Sequence, residues 1–213
     1  MLDERDRELE RRGLTFVRYA DDCNIYVASR KAAERVMASV TCFIERRLKL
    51  TVNEAKSAVD RPWNRTFLGF TLKEADGFPR VIAATSIARF KDRVRDLTGR
   101  HGGVTLKRTI ADLNPLLRGW AGYFGFSQWR ALENLDGWIR RRLRCMAWVK
   151  WKTRRQRFTE LQRRGVGEKS TFAAIMSPKG PWRISACEAL HRALRTRFFK
   201  RQGLVFMTEL VHA

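Results

Sequence analysis

The sequence predicts an α+β fold: short antiparallel hairpins and one long helix in the first third, then a mostly α-helical remainder. Three observations predict it. Residues 15–20 and 23–28 are rich in β-branched and aromatic side chains and flank Asp21-Asp22. From residue 84 onward apolar residues recur at spacings of three and four, the helical period. The charge balance changes along the chain as well. Residues 1–60 hold 12 basic and 11 acidic side chains, whereas residues 61–213 hold 32 and 11. A domain change between residues 60 and 85 accounts for that shift, and we place it at 83/84, giving regions 1–83 and 84–213.

Taken in order, residues 1–12 read as a polar helix stopped by Gly13. Residues 15–20 and 23–28 read as strands with Asp21-Asp22 as the tight turn between them. From Ser29, a suitable N-cap, the residues Ala33, Val36, Val40, Phe43, Ile44 and Leu48 mark a long helix. Residues 66–72 and 78–83 read as a second strand pair around Asp76-Gly77. Three helical stripes follow: Ile87, Phe90, Val94 and Leu97; Ile110, Leu113, Leu116, Leu117 and Trp120; Leu132, Leu135, Ile139, Leu143 and Met146. The stretch 99–103, GRHGG, is the most linker-like. The glycine-aromatic stretch 119–126 is expected to join the last two stripes. A helix is expected from Ile184 to Phe199, with a short apolar end after it.

Composition narrows the function classes. A formal charge of +22 in 213 residues argues against a metabolic enzyme for small neutral molecules and favours a polyanionic partner. Cys23, Cys42, Cys145 and Cys187 are far apart and form no C-x-x-C pair, so a disulfide framework is not expected and a reducing cytoplasm is. His101, His191 and His212 have no metal-ligand spacing, so zinc is not expected. No apolar run approaches the roughly 20 residues that span a bilayer, and residues 1–12 are charged throughout, unlike a secretion signal. Anionic lipid is a weaker competitor for the charge, because the apolar faces of the basic helices are needed for packing.

The sharpest local feature is Tyr19-Ala20-Asp21-Asp22. Two adjacent carboxylates at a hairpin tip repel each other and are relieved by a hard cation such as magnesium, which takes one or two carboxylates plus substrate phosphates. From these residues alone an ordinary turn dipeptide is the simpler reading. The context of strand, Asp-Asp, strand and long helix favours a site.

Phe16-Val17-Arg18-Tyr19-Ala20-Asp21-Asp22 resembles the Y-A-D-D motif of reverse transcriptases. Leu50 to Ser57 and Phe67-Leu68-Gly69-Phe70 follow in the order and spacing of group II intron reverse transcriptases. Leu117 to Phe124 and Leu135 to Arg140 resemble that family's maturase-specific region. The likeness covers about residues 3–200 and implies half a palm with a thumb and maturase region, the C-terminal part of such a protein. It implies that Asp21 and Asp22 are metal-binding acids and that Lys56 donates a proton to departing pyrophosphate. It further implies that the strand at Phe67, Leu68 and Gly69 grips a primer end. Without the family context, Lys56 reads as a solvated surface lysine and Gly69 as a bulge.

The resemblance also implies a further catalytic Asp on an earlier palm strand, and fingers before it. Only eighteen residues precede Tyr19 here. The expectation is that magnesium is used only when a complete palm is assembled, and that this polypeptide alone does not polymerise DNA. Its expected partners are group II intron RNA and, if the missing N-terminal half is supplied, an RNA template/primer duplex. The alternative is a non-catalytic RNA-binding splicing factor, or a degenerate retroelement remnant.

The densest basic run, residues 140–164, holds eleven basic side chains and one acid, Glu160. Trp138, Trp148, Trp151 and Phe158 interleave with Arg140, Arg141, Arg142, Arg144, Lys150, Lys152, Arg154, Arg155 and Arg157. Cations neutralise phosphates and rings stack on unpaired bases. Trp138 and Trp148 fall near the Leu135–Met146 stripe and are expected to pack inward, leaving the arginines facing out.

Overall fold

The computed structural model describes residues 2–99, 103–126 and 129–211. The chain divides into two compact units, Met1–Arg65 and Thr66–Ala213. The first contains α1 (Leu2–Arg11), β1 (Thr15–Tyr19), β2 (Asp22–Tyr26), α2 (Arg30–Arg47) and a 3-10 turn at Pro62–Asn64. The second contains β3 (Phe70–Leu72), β4 (Arg80–Ile82), α3 (Ala84–Leu97), α4 (Leu106–Phe124), α5 (Trp129–Lys150) and α6 (Arg154–Arg163). It continues with α7 (Glu168–Ile175), α8 (Pro181–Ile184), α9 (Glu188–Ala193), α10 (Thr196–Arg201) and α11 (Met207–Val211). The α+β class is observed: two separate two-stranded antiparallel sheets, β1-β2 and β3-β4, in an otherwise helical chain. No helix among the described residues is long and apolar enough to cross a membrane.

In the first unit, α1 stops at Gly13 as expected. Gly13 takes φ +66, its N–H donates to Glu10, and the Leu14 N–H donates back to the Leu9 carbonyl at 3.0 Å. This is the Schellman pairing, with Leu9 and Leu14 as its apolar contact. The same device ends α6, at Leu161, Gly165 and Val166, and α10, at Phe199, Gly203 and Leu204. Ser29 caps α2, its hydroxyl accepting from the Ala32 N–H at 3.2 Å. The buried hydrophobic side chains among the described residues of this unit are Leu9, Val40 and Leu48, a small core.

The second unit has a continuous core. Val94, Leu113, Leu117, Leu132, Leu143, Leu161, Leu190, Leu194, Phe199 and Met207 are buried to within 1 % of complete, so the three helical stripes all turn inward. Trp148 and Trp151 join them, and Trp138 packs against them half-buried.

Four local expectations are corrected. The first hairpin pairs Thr15 with Tyr26 and Tyr19 with Asp22, so Ala20-Asp21 forms the turn and Asp22 begins β2. The strand expected at 66–72 begins at Phe70, because Leu68-Gly69 turns sharply against it. The stretch at 119–126 is not a connection: residues 119–124 continue α4, whose stripe carries the helix through Pro115. The connection expected at 99–103 lies between α3 and α4, but residues 100–102 fall outside the described residues, as do His101 and His212.

The fourth correction concerns the tail. The helix expected from 184 to 199 is three short ones, α8, α9 and α10. Ile184, Leu190, Leu194 and Phe199 are all buried, so periodicity gave no hint of breaks. Tertiary partners make them. The Leu194 carbonyl accepts from the Arg144 side chain on α5, and Asn114 on α4 grips the segment after α10. Its amide donates to the Gly203 carbonyl at 2.8 Å and its oxygen accepts from the Val205 N–H at 3.1 Å.

Asp136, 4 % exposed, closes this segment onto α5. Its two oxygens accept from the Met207 N–H, the Thr208 N–H and the Thr208 hydroxyl at 3.1, 3.1 and 2.9 Å, capping α11. Burial pushes its carboxyl above the usual range, and these bonds oppose the shift. Asp136→Ala leaves two helix N–H groups without a buried acceptor. It should destabilise the unit by about 1–3 kcal/mol in urea unfolding, with Asp136→Asn intermediate.

Candidate functional site

The β1-β2 tip is held from below by guanidinium groups. Arg5 of α1, 9 % exposed, donates to the Asp21 carbonyl at 3.2 Å, and Arg18 donates to the Ala20 carbonyl at 3.1 Å. Arg18 also pairs with Asp6 at 2.6 Å. With the backbone pinned, the Asp21 and Asp22 carboxylates remain exposed and make no hydrogen bond or ion pair to any described residue. In a chain of 44 basic side chains that isolation is notable. Ala20 takes φ +52 while Asp21 does not, the pattern of a type II′ turn, where glycine is the favoured first residue. The sequence reading missed Arg5 and Asp6, although the alternating acids and arginines of α1 carry the signal.

Hard oxygen donors at an accessible tip fit magnesium in kind, and two carboxylates are as many as such ions commonly take from a protein. Among the described residues no group of three or more His, Cys, Asp or Glu is placed to hold a metal ion.

Lys56 lies in the same unit on a turn closed by Asn53. The Asn53 carbonyl accepts from the N–H groups of Lys56 and Ser57, and its side-chain oxygen also accepts from Lys56. The Arg65 guanidinium donates to the Lys56 carbonyl at 2.8 Å. The Lys56 ammonium is exposed, and no ion pair joins it to Asp21 or Asp22.

Phe67, Leu68 and Gly69 lie in the second unit. Phe67 and Phe70 exchange both backbone hydrogen bonds, at 2.8 and 2.9 Å, around Leu68 at φ +52 and Gly69 at φ +78. Two left-handed residues between a bonded pair make a type I′ turn, not a bulge. The turn is clamped on three sides. Tyr123 donates to the Leu68 carbonyl at 3.0 Å, and the Gly69 carbonyl accepts from the Ala83 N–H at 2.9 Å and the Ser86 hydroxyl at 3.1 Å. A Cβ at Gly69 would sit 3.1 Å from both the Phe124 ring and the Ser86 oxygen, so glycine is required there for space as well as for φ. Tyr123 was not foreseen, since nothing in its spacing links it to residue 68.

The basic run separates into two kinds of residue. Arg144 is 6 % exposed and does not face out with the others: it donates to the Leu194 carbonyl and to His191 Nε2, each at 3.2 Å. Burial lowers its pKa to about 10. Arg142 donates to the Thr98 hydroxyl, Arg141 to the Trp182 carbonyl, and Arg140 lies half-buried over the Phe206 ring. Arg157 stacks on Trp148 at 4.3 Å and donates to the Trp151 carbonyl. Glu160, the run's one acid, pairs with Arg164. Lys150 is half-buried, which pulls its ammonium below the usual range. Lys152, Arg154, Arg155 and Arg163 are exposed, with no acid partner among the described residues.

Two family models match the chain, in order. Residues 1–72 match reverse transcriptase (RNA-dependent DNA polymerase), and residues 87–165 match the group II intron, maturase-specific domain. Together they cover more than two thirds of the chain. The chain belongs to the group II intron reverse transcriptase/maturase family. The matches are those of the family's C-terminal part; the first ends at residue 72 and the second begins at residue 87. The maturase match takes in α4, α5 and α6, with the exposed cations of residues 152–163 inside it. No curated protein matches the chain.

These local arrangements have measurable consequences. A left-handed non-glycine residue costs about 1–2 kcal/mol, of which added chain entropy returns part. Ala20→Gly should therefore raise the stability of the first unit by about 0.5–1 kcal/mol in chemical denaturation. His191 accepts from Arg144, and burial, with Arg144, Arg140 and Arg141 adding to it, holds its pKa below the ordinary 6.5. As pH falls through that value the unfolded chain takes up a proton that the folded chain resists, so acidification from about pH 7.5 to about 5.5 favours unfolding. His191→Gln should flatten that part of the pH dependence of the urea midpoint.

Proposed function

We propose that this chain binds group II intron RNA through the basic surface of its maturase-specific domain and so assists splicing. The observation that carries this reading is the set Lys152, Arg154, Arg155 and Arg163: exposed, uncancelled by acids, and inside the matched domain. Each such cation that meets a phosphate releases a condensed counterion, and binding then weakens as salt rises. Cytoplasmic location accords with intron RNA as the partner. Residues 1–83 are a partial palm and residues 84–213 the thumb and maturase region.

Within that reading the partial palm has polymerase roles assigned by family likeness. Asp21 and Asp22 would hold magnesium, which when bound supplies activation of a primer 3′-hydroxyl and stabilisation of the leaving pyrophosphate. Lys56 would protonate that pyrophosphate, and the Phe67–Gly69 turn would hold a primer end. The family places a further metal-binding acid on an earlier palm strand, so Asp21 and Asp22 would act in polymerisation only together with that strand. The partner half, if supplied, would bring an RNA template/primer duplex. The second reading is a non-catalytic RNA-binding splicing factor, or a degenerate retroelement remnant.

Affinity for a folded intron fragment should fall steeply between about 50 and 200 mM salt. The variant carrying Lys152→Ala, Arg154→Ala and Arg155→Ala should lower the log–log slope by about 1 for each phosphate no longer neutralised. A flat wild-type plot would remove the reading. In a splicing assay Asp21→Ala should be tolerated by a pure maturase, and it should abolish primer extension in a complemented polymerase.

A further inference from the structure

Trp182 lies in α8, beyond the residues matched to the maturase-specific domain. The helix begins at Pro181, whose fixed φ suits the first helical position. Ile184 and Ser185 are buried, which anchors α8 and leaves Trp182 and Arg183 on the exposed side. The Trp182 carbonyl accepts from the Ser185 hydroxyl at 2.7 Å and from the Arg141 guanidinium at 3.1 Å. That same guanidinium lies over the indole ring, 4.1 Å from its centroid. The residue is thus held at backbone and ring, yet it remains 38 % exposed. Trp148 and Trp151 also meet arginines, but their rings are buried.

The surroundings are cationic and poor in carboxylates. Lys179 and Arg183 flank the ring in sequence, both exposed and without an acid partner among the described residues. Glu188, the nearest acid in the chain, pairs with Arg192 at 3.7 Å. The Arg141 Nε is buried with no acceptor. A held aromatic ring with a guanidinium over it, and exposed cations next to it in sequence, suits an unpaired base between two phosphates. An apolar protein partner would gain little from the cations.

We propose that Trp182, backed by Arg141, is a stacking platform for an unpaired base of RNA, with Lys179 and Arg183 meeting the flanking phosphates. This inference rests on the intron-RNA reading and names a contact within it.

The test uses the full chain and two fluorescein-labelled probes, an oligoadenylate of about ten nucleotides and an RNA duplex of similar length. By the usual strength of base–aromatic stacking, Trp182→Ala should weaken the single strand about 5- to 100-fold while leaving its salt slope unchanged. Duplex binding should change by less than about twofold, and Trp182→Phe should restore most of the loss. Unchanged single-strand binding, or an equal loss on both probes, would overturn the platform and leave the intron-RNA reading standing. Wild-type chain that binds neither probe nor a folded intron fragment would overturn both. A measurement on the unaltered chain covers the case of a variant that does not fold. Photocrosslinking to a 5-iodouridine oligonucleotide should yield an adduct mapped to Trp182, and a map without it counts against the platform.

Discussion

Acids are too few in this chain to pair its basic side chains, with 22 against 44, and the second unit folds around that shortage. Its arginines are anchored instead on carbonyl oxygens and aromatic faces. Arg141 on Trp182, Arg157 on Trp148 and Arg80 on Phe126 are examples, at 4.1, 4.3 and 4.4 Å. A carboxylate would cancel the charge it holds, whereas a ring or a carbonyl fixes a guanidinium in place and leaves the charge standing. The structure therefore orders its cations without neutralising them. Self-repulsion remains, and a polyanion relieves it.

α5 carries most of this arrangement because it has two jobs on one helix. Its stripe from Leu132 to Ala147 is buried against α3, α4 and the C-terminal helices, so no more than part of its circumference is left for charge. Arg144 falls on the buried side, and the structure accommodates it by ending α9 at Leu194, whose carbonyl is then available. Asp136, just over two turns away on the same side, is accommodated by starting α11 on its carboxylate. The two buried charged groups of one helix thus fix where the final segments begin and end.

That coupling explains which features were legible in the sequence. The stripes of α3, α4 and α5 are periodic, and period follows from burial on one face, so the helices could be read directly. Ser29 and Gly13 act within four residues of themselves and were equally readable. The breaks at Ser185–Cys187 and Leu194–Arg195 answer to Arg144 and to packing some fifty residues distant, and no local pattern encodes them. The hairpin tip was displaced by one residue for a related reason. Asp21-Asp22 is the better turn dipeptide by composition, but the register that pairs Tyr19 with Asp22 puts Ala20 in the left-handed position. In the candidate site, Asp21, Asp22, Lys56 and Gly69 stand out through motif likeness. Arg5 and Ser86 act through contacts at separations of 16 and 17 residues and stand in no motif, and Tyr123, though inside the Leu117–Phe124 likeness, acts through a contact 55 residues away that the likeness does not mark.

Anchored and free cations make different contributions to holding a nucleic acid. Lys152, Arg154 and Arg155 keep their rotamer freedom until a phosphate arrives, so each contact orders a long side chain as it forms. They supply long-range attraction, dependent on salt and tolerant of sequence. Arg141 and Arg142 are already immobilised by Trp182 and Thr98, so a ligand that fits them orders little more of the protein, while one that does not fit finds no adjustment. On the proposed intron-RNA reading, affinity for any RNA would then come mainly from the exposed residues that open and line α6. Discrimination would come from the guanidinium groups that α5 holds still, and hence from the packing that holds α5.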